Sequence, residues 1–150
     1  MQPLADPKER RFPMVLVRHW DRWRADRPFP SEQALDPDVL GEKWRYCFLV
    51  QVRDILNVRD YNYTYLGEGI IRAYQDGEVD GEYATMVGMN ASKLTHSFTR
   101  VMETRAPVLE EGEFYTLKGR RVRYRQCMLP LGEDGQAVDA IFGGISFISR

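Results

Sequence analysis

The stretch from Arg121 to Ile148 constrains the fold more than any other part of the chain. It reads as two strands, RVRYRQCMLPL and QAVDAIFGGISFI, joined by the turn Gly132-Glu133-Asp134-Gly135. In the second strand Ile141, Ile145 and Phe147 fall on one side and Val138, Ala140, Phe142 and Ile148 on the other, so both faces are apolar. Such a strand belongs at the centre of a sheet. In the first strand Val122, Tyr124 and Met128 share one face, while Arg121, Arg123 and Arg125 share the other. One face of the sheet is therefore expected to be core and the other at least partly wet. The rest of the chain must pair with this hairpin or cover its apolar face.

A chain of 150 residues can bury roughly two thirds of its unfolded surface in one domain, without needing a metal or a disulfide. The proportions of hydrophobic (43%) and charged (29%) residues are those of a globular protein rather than a disordered tail. A net charge of −1 excludes broad nucleic-acid binding, which needs a strongly basic face. Cys47 and Cys127 lie in predicted strands without C-x-x-C spacing, and read as small buried hydrophobes in a reducing compartment. No apolar run approaches the ~18 residues of a membrane span. The start, MQPLADPKERRF, contains nothing like a signal peptide. The expectation is a cytoplasmic protein with neither a membrane nor a nucleic-acid partner.

In chain order, residues 1–11 are expected to form a flexible tail and residues 12–150 a single domain that opens with a helix over 12–27. Phe12, Val15, Leu16, His19, Trp20 and Trp23 share one helical face, Arg18 and Asp21 lie opposite, and Pro28-Phe29-Pro30 stops the helix. Asp36 and Pro37 look like the cap and first residue of a short helical turn. WRYCFLVQVRD, residues 44–54, alternates as a strand. Residues 61–66 form a second strand, in which Tyr61, Tyr63 and Tyr65 share one face. One or two short helices follow before Gly88. A longer helix runs from a cap at Asn90 to Arg105, with Ala91, Leu94, Phe98, Val101 and Met102 as its apolar face. The last three strands form successive hairpins. Around Lys118-Gly119, a two-residue loop places Tyr115 opposite Val122. A three-residue loop places Phe114 opposite Tyr124 and Glu113 opposite Arg125, and its matched pairs favour it.

Two hairpin blocks separated by a helical insert make an antiparallel α+β domain of five strands, with helices on one face, the extra amphipathic helix ahead of them, and the last strand between the first and the fourth. At this point the chain resembles a PAS domain, and more narrowly the single-domain PAS family of alphaproteobacteria that begins with a tryptophan-bearing helix. The residues that carry the resemblance are WDRWRADRPFP (20–30), the turn Leu35-Asp36-Pro37, the strand 61–66 leading into Gly67-Glu68-Gly69-Ile70-Ile71, and Phe142-Gly143-Gly144. The chain departs from that family at Thr64, where an arginine is usual, and at Gln75-Asp76-Gly77, where a Gly-Arg-Asp-like run is usual. The resemblance implies a five-stranded PAS-like sheet and a sensory or regulatory role. A small molecule would bind between sheet and helices, and a separate effector protein would receive the signal in trans. The alternative is a ligand-free PAS adaptor that acts only through protein–protein contacts.

No nucleophile elbow, phosphate loop, dinucleotide fingerprint or metal-spaced cluster is present, so enzymatic chemistry has no visible carrier. No cofactor is named by the sequence. Haem-binding PAS sensors resemble this chain in placing an axial histidine on the long helix, but His96 lies two positions from both Leu94 and Phe98 and so faces away from the expected core. Light-sensing PAS domains need a reactive cysteine near that helix, and Gly88–Thr95 contains none. Arg120, Arg121, Arg123 and Arg125 form a basic cluster that either holds a phosphate or pairs with Glu110, Glu111 and Glu113. The expected ligand site is the space enclosed by Tyr63, Tyr65, Phe98, Met102, Tyr124 and Phe142. Leu16, Trp20 and Trp23 exceed what simple docking of a short helix needs, and are expected to pack in part against a second copy in a homodimer.

Overall fold

The structure is a computed structural model that describes residues 7–75 and 97–148, with the side chains of the first helix described from Phe12 onward. Five strands, β1 (Cys47–Ile55), β2 (Val58–Leu66), β3 (Val108–Tyr115), β4 (Arg121–Leu131) and β5 (Ala140–Ile148), form one antiparallel sheet in the order β2-β1-β5-β4-β3. The last strand is central, as its two apolar faces require. Around the sheet lie α1 (Pro7–Arg24), α2 (Pro37–Leu40), α3 (Glu68–Tyr74) and a fourth helix, α4, described over residues 97–104. Among the described residues no helix is long and apolar enough to cross a membrane.

Helix α1 starts at Pro7 and ends at Arg24, so residues 7–11 are helical rather than tail. Pro7 takes the first helical position, where a missing N–H leaves nothing unpaired, and Pro13 sits inside the helix. The helix ends early because Ala25 turns to a φ of 55°, and Pro28 and Pro30 follow. Asp36 caps α2 by accepting from the Asp38 N–H at 3.2 Å, with Pro37 at the first position as expected. Residues 44–46 belong to a 3₁₀ turn (Gly41–Tyr46) rather than to β1.

The sheet separates two apolar layers. One contains Phe48, Val50, Leu66, Met128, Ile141 and Ile145 from the strands, covered by Ile70 and Tyr74 of α3 and by Phe98 and Val101 of α4. The other contains Leu49, Cys127, Leu129, Leu131 and Phe142, covered by Phe12, Leu16 and Trp20 of α1 together with Phe29 and Leu40. The second face is therefore not wet where α1 lies. β4 changes character along its length: Arg121, Arg123 and Arg125 share parity with Cys127, Leu129 and Leu131, but the strand is buried only from Gln126 onward. Gly144 makes this docking possible, because a Cβ there would collide with the Leu16 side chain and crowd the Phe12 ring.

Cys47 and Cys127 pair with Gly144 from either side and are both free. Two strand spacings hold them roughly 10 Å apart, beyond the ~7 Å Cα separation that a disulfide can bridge. Burial pushes the Cys127 thiol up to about 12, and raises that of Cys47 as well. Both behave as the small hydrophobes expected.

The turn between β1 and β2 consists of Leu56 and Asn57 alone, both at positive φ (52° and 69°), the backbone of a type I′ hairpin. Leu56 is 92% exposed, so nothing offsets the steric cost of a left-handed leucine. Leu56→Asn is expected to raise stability by about 1 kcal/mol. The check is a urea midpoint that moves up at unchanged slope; an unmoved midpoint contradicts it.

In the β3–β4 hairpin neither expected register occurs. The chain closes with Thr116 donating to the Arg120 carbonyl at 2.8 Å, around Leu117-Lys118-Gly119 with Gly119 at a φ of 83°. Tyr115 therefore faces Arg121, Phe114 faces Val122, and Glu111 faces Arg125. The loop has three residues but starts one residue earlier than anticipated, because Gly119 supplies the positive φ at its third position. Phe114 and Tyr124 become diagonal neighbours with ring centroids 5.9 Å apart. Arg125 pairs with Glu111 at 2.9 Å and Arg121 with Glu113 at 3.5 Å, so cross-strand neutralisation accounts for these two members of the basic cluster.

Candidate functional site

Between the first face of the sheet and α3 lies a cavity of about 130 Å³. Its floor is built by Phe48 of β1, Tyr63 and Leu66 of β2, and Ile145 of β5; Tyr124 and Gln126 of β4 and Glu113 and Phe114 of β3 form one wall, and Ile70 and Tyr74 of α3 the other. The sequence places them here for simple reasons. Tyr124, Gln126 and Met128 share strand parity, and Gly67 caps α3 directly after β2, so Ile70 and Tyr74, four positions apart, fall on the helical face toward the sheet. Gly112 lies opposite Tyr124, and a Cβ at that position would collide with the tyrosine ring and hydroxyl. The glycine thus lets the Tyr124 ring lie across β3.

The cavity's polar groups are few. Burial raises the Tyr63 phenol above its ordinary value, with Tyr124 adding to the effect, and burial followed by Glu110 raises that of Tyr124. Both remain neutral hydroxyls at physiological pH, able to donate and to accept. Gln126 is 1% exposed. Its Nε2 donates to Glu110 Oε2 at 2.7 Å, an oxygen that also accepts from Ser97 Oγ of α4 at 2.6 Å. Arg100 Nη1 stands 4.0 Å from the other oxygen of the same carboxylate. Because Nε2 must be the atom facing a carboxylate, the amide orientation is determined, and Gln126 Oε1 is left buried without a hydrogen-bond partner among the described residues.

Of the six residues expected around the ligand space, Tyr63 and Tyr124 line the cavity. Phe98 is fully buried beside it, its ring centroid 6.5 Å from those of Phe48 and Tyr63, and Met102 packs against the same layer. Tyr65 and Phe142 are on the opposite face of the sheet, stacked with Trp44 at 4.8 and 5.9 Å. The cause for Tyr65 is a β-bulge: Val50 pairs with Tyr63 but Leu49 with Tyr65, so Thr64 is an extra residue that reverses the face. Its hydroxyl donates to the Leu49 carbonyl at 3.3 Å. The three tyrosines therefore do not share a face. Phe142 has the parity opposite to Ile141 and Ile145 and so belongs to the layer under α1. Gln126 was missed, although one signal marked it: a polar residue at a core-facing parity between Tyr124 and Met128. His96 and the segment before Ser97 lie outside the described residues.

Leu16 and Trp20 are buried within the chain's own fold, at 0% and 6% exposure. Trp20 Nε1 donates to the Pro130 carbonyl at 2.8 Å. β3 ends opposite Met128, so Pro130 has no partner on that side, and the indole takes the place of a strand. The helix covers a face that was expected to be wet, which removes the need for a second copy over these two residues. Trp23 is half-buried, stacked on His19 at 5.5 Å and tilted against Phe142 at 6.3 Å.

Comparison with solved structures settles the architecture. A light-oxygen-voltage domain studied with a flavin analogue superposes with a TM-score of 0.53 at 11% identity, over 75% of this chain and 84% of that one. The chain has the PAS fold. The LOV protein of Rhodobacter sphaeroides gives a TM-score of 0.47 at 9% identity, over 77% of this chain and 70% of that one. A PAS domain from Colwellia psychrerythraea gives 0.45 at 17% identity, over 75% and 95%. No family profile matches the chain, and no curated protein matches it. In this PAS fold the cavity lies between the sheet and α3, and of the six expected lining residues only Tyr63 and Tyr124 surround it.

Proposed function

We propose that the chain is a cytoplasmic sensory or regulatory PAS domain, akin to the single-domain family of alphaproteobacteria, that binds a small molecule in the cavity and signals in trans to a partner protein. The observation supporting this reading is the cavity itself. At about 130 Å³ it is close to the engineered cavity of about 150 Å³ that takes up benzene, and smaller than the roughly 300 Å³ at which pockets for drug-sized ligands begin. A compound of one ring suits it. Binding would act on α3 and on Glu110, which is held from α4 by Ser97. The homodimer is part of the same proposal, carried by what α1 leaves exposed rather than by Leu16 and Trp20: Met14 is 46% exposed, and Trp23 is half-buried.

The adaptor reading draws on a different observation: Ile55, Leu56 and Val58 at the β1–β2 turn are 47%, 92% and 65% exposed and form an apolar tip. Native mass spectrometry of the purified chain separates the two readings and counts subunits at once. Retained extra mass and a dimer are expected. A bare monomer whose melting temperature no small aromatic raises would leave the adaptor reading in place.

A further inference from the structure

We infer that the cavity takes a neutral molecule of about the size of phenol, apolar over most of its surface and carrying one hydrogen-bond donor for Gln126 Oε1. This rests on the reading of the cavity as a ligand site. Gln126 is 1% exposed and lines the cavity, its Nε2 is committed to Glu110 at 2.7 Å, and its Oε1 accepts nothing among the described residues. Nε2 and Oε1 diverge from the same carbon, so an amide pinned on Glu110 turns its oxygen away from that carboxylate. A buried carbonyl of this kind is costly to leave unpaired, and a hydrogen-bond donor within the cavity relieves it. Phe48, Leu66, Ile70, Phe114 and Ile145 supply the apolar surroundings. Among the described lining residues the only charged one is Glu113, whose carboxylate is already paired with Arg121 at 3.5 Å, and no cation is among them, so an anion would be desolvated without a countercharge in the described lining. A neutral hydroxyl or amine on a single ring satisfies size, polarity and charge together.

The test is an NMR titration of the full chain, native and Gln126→Met, with phenol, toluene and benzoate. Methionine keeps the length of the side chain and removes the acceptor. The phenol-to-toluene affinity ratio is expected to fall about tenfold in the variant, with benzoate at least about tenfold weaker than phenol in the native chain. An unchanged ratio, as would follow if water alone pairs with Oε1, overturns the donor assignment while leaving the cavity a ligand site. Benzoate binding as well as phenol overturns the neutral class. If neither phenol nor toluene binds, the ligand-site reading fails and this one with it. Should Gln126→Met not fold, anisole decides in the native chain, since it keeps the ring and oxygen but lacks the donor: affinity equal to that of phenol overturns the inference.

Discussion

Trp20→Ala is expected to destabilise the protein by about 4 kcal/mol, a large part of the roughly 5–15 kcal/mol that holds a domain together. Two separate losses contribute. The indole is 6% exposed in the layer beneath β4 and β5, so its removal leaves a hole in the layer that also holds Leu16, Phe29 and Leu131. The Pro130 carbonyl loses the only donor described for it. Trp20→Phe divides the two, keeping a ring while removing the N–H, and should cost about 1–2 kcal/mol. Urea unfolding measures both, and the loss should not depend on protein concentration. A loss that grows at higher concentration would mean that α1 docks on a second copy instead. A loss below about 1 kcal/mol would mean that the helix hardly docks. Trp23, half-buried at the edge of the same layer, is the residue whose charged variant can report on an interface while the fold stays intact.

What was legible in the sequence follows from how far each pattern extends. β5 carries apolar residues on both faces, and that placed it at the centre of the sheet, although the second face was still expected to be partly wet. The cap at Asp36 and the buried stripe of α1 were legible because each depends on residues close in sequence. The destination of that stripe was not. Arg121, Arg123 and Arg125 gave one face of β4 a charged character, but the same face turns apolar at Cys127, and α1 lies over the apolar part. Parity shows which face a residue occupies and not where along the strand a covering helix stops.

The candidate site was half legible for a related reason. Period-two counting assumes an unbroken ladder, and the bulge at Thr64 breaks it with no glycine or proline to mark the place. Tyr63 therefore reaches the cavity and Tyr65 the opposite face. Phe48, Leu66, Ile70 and Phe114 looked like ordinary core residues, since a cavity is a property of how neighbours fail to fill space. Gln126 differs. Its polarity conflicts with its parity, and such local conflicts occur most often where function has a use for them.

Phe98→Ala is the second large effect, with an expected loss of about 3–5 kcal/mol. Phe98 is fully buried at the start of the described part of α4, with Tyr61 at 5.1 Å and Phe48 and Tyr63 each at 6.5 Å between ring centroids. Those last two rings are part of the cavity floor, so the vacated space would adjoin it. How the surroundings respond decides the size of the loss. If Phe48 and Tyr63 hold their rotamers, the two voids join, the full cost appears, and toluene should raise the melting temperature of the variant more than that of the native chain. If the rings collapse into the gap, the cost falls toward the lower end and toluene gives no added stabilisation. A loss under about 1.5 kcal/mol would show that the ring is loosely held, and that the native cavity already extends beneath α4.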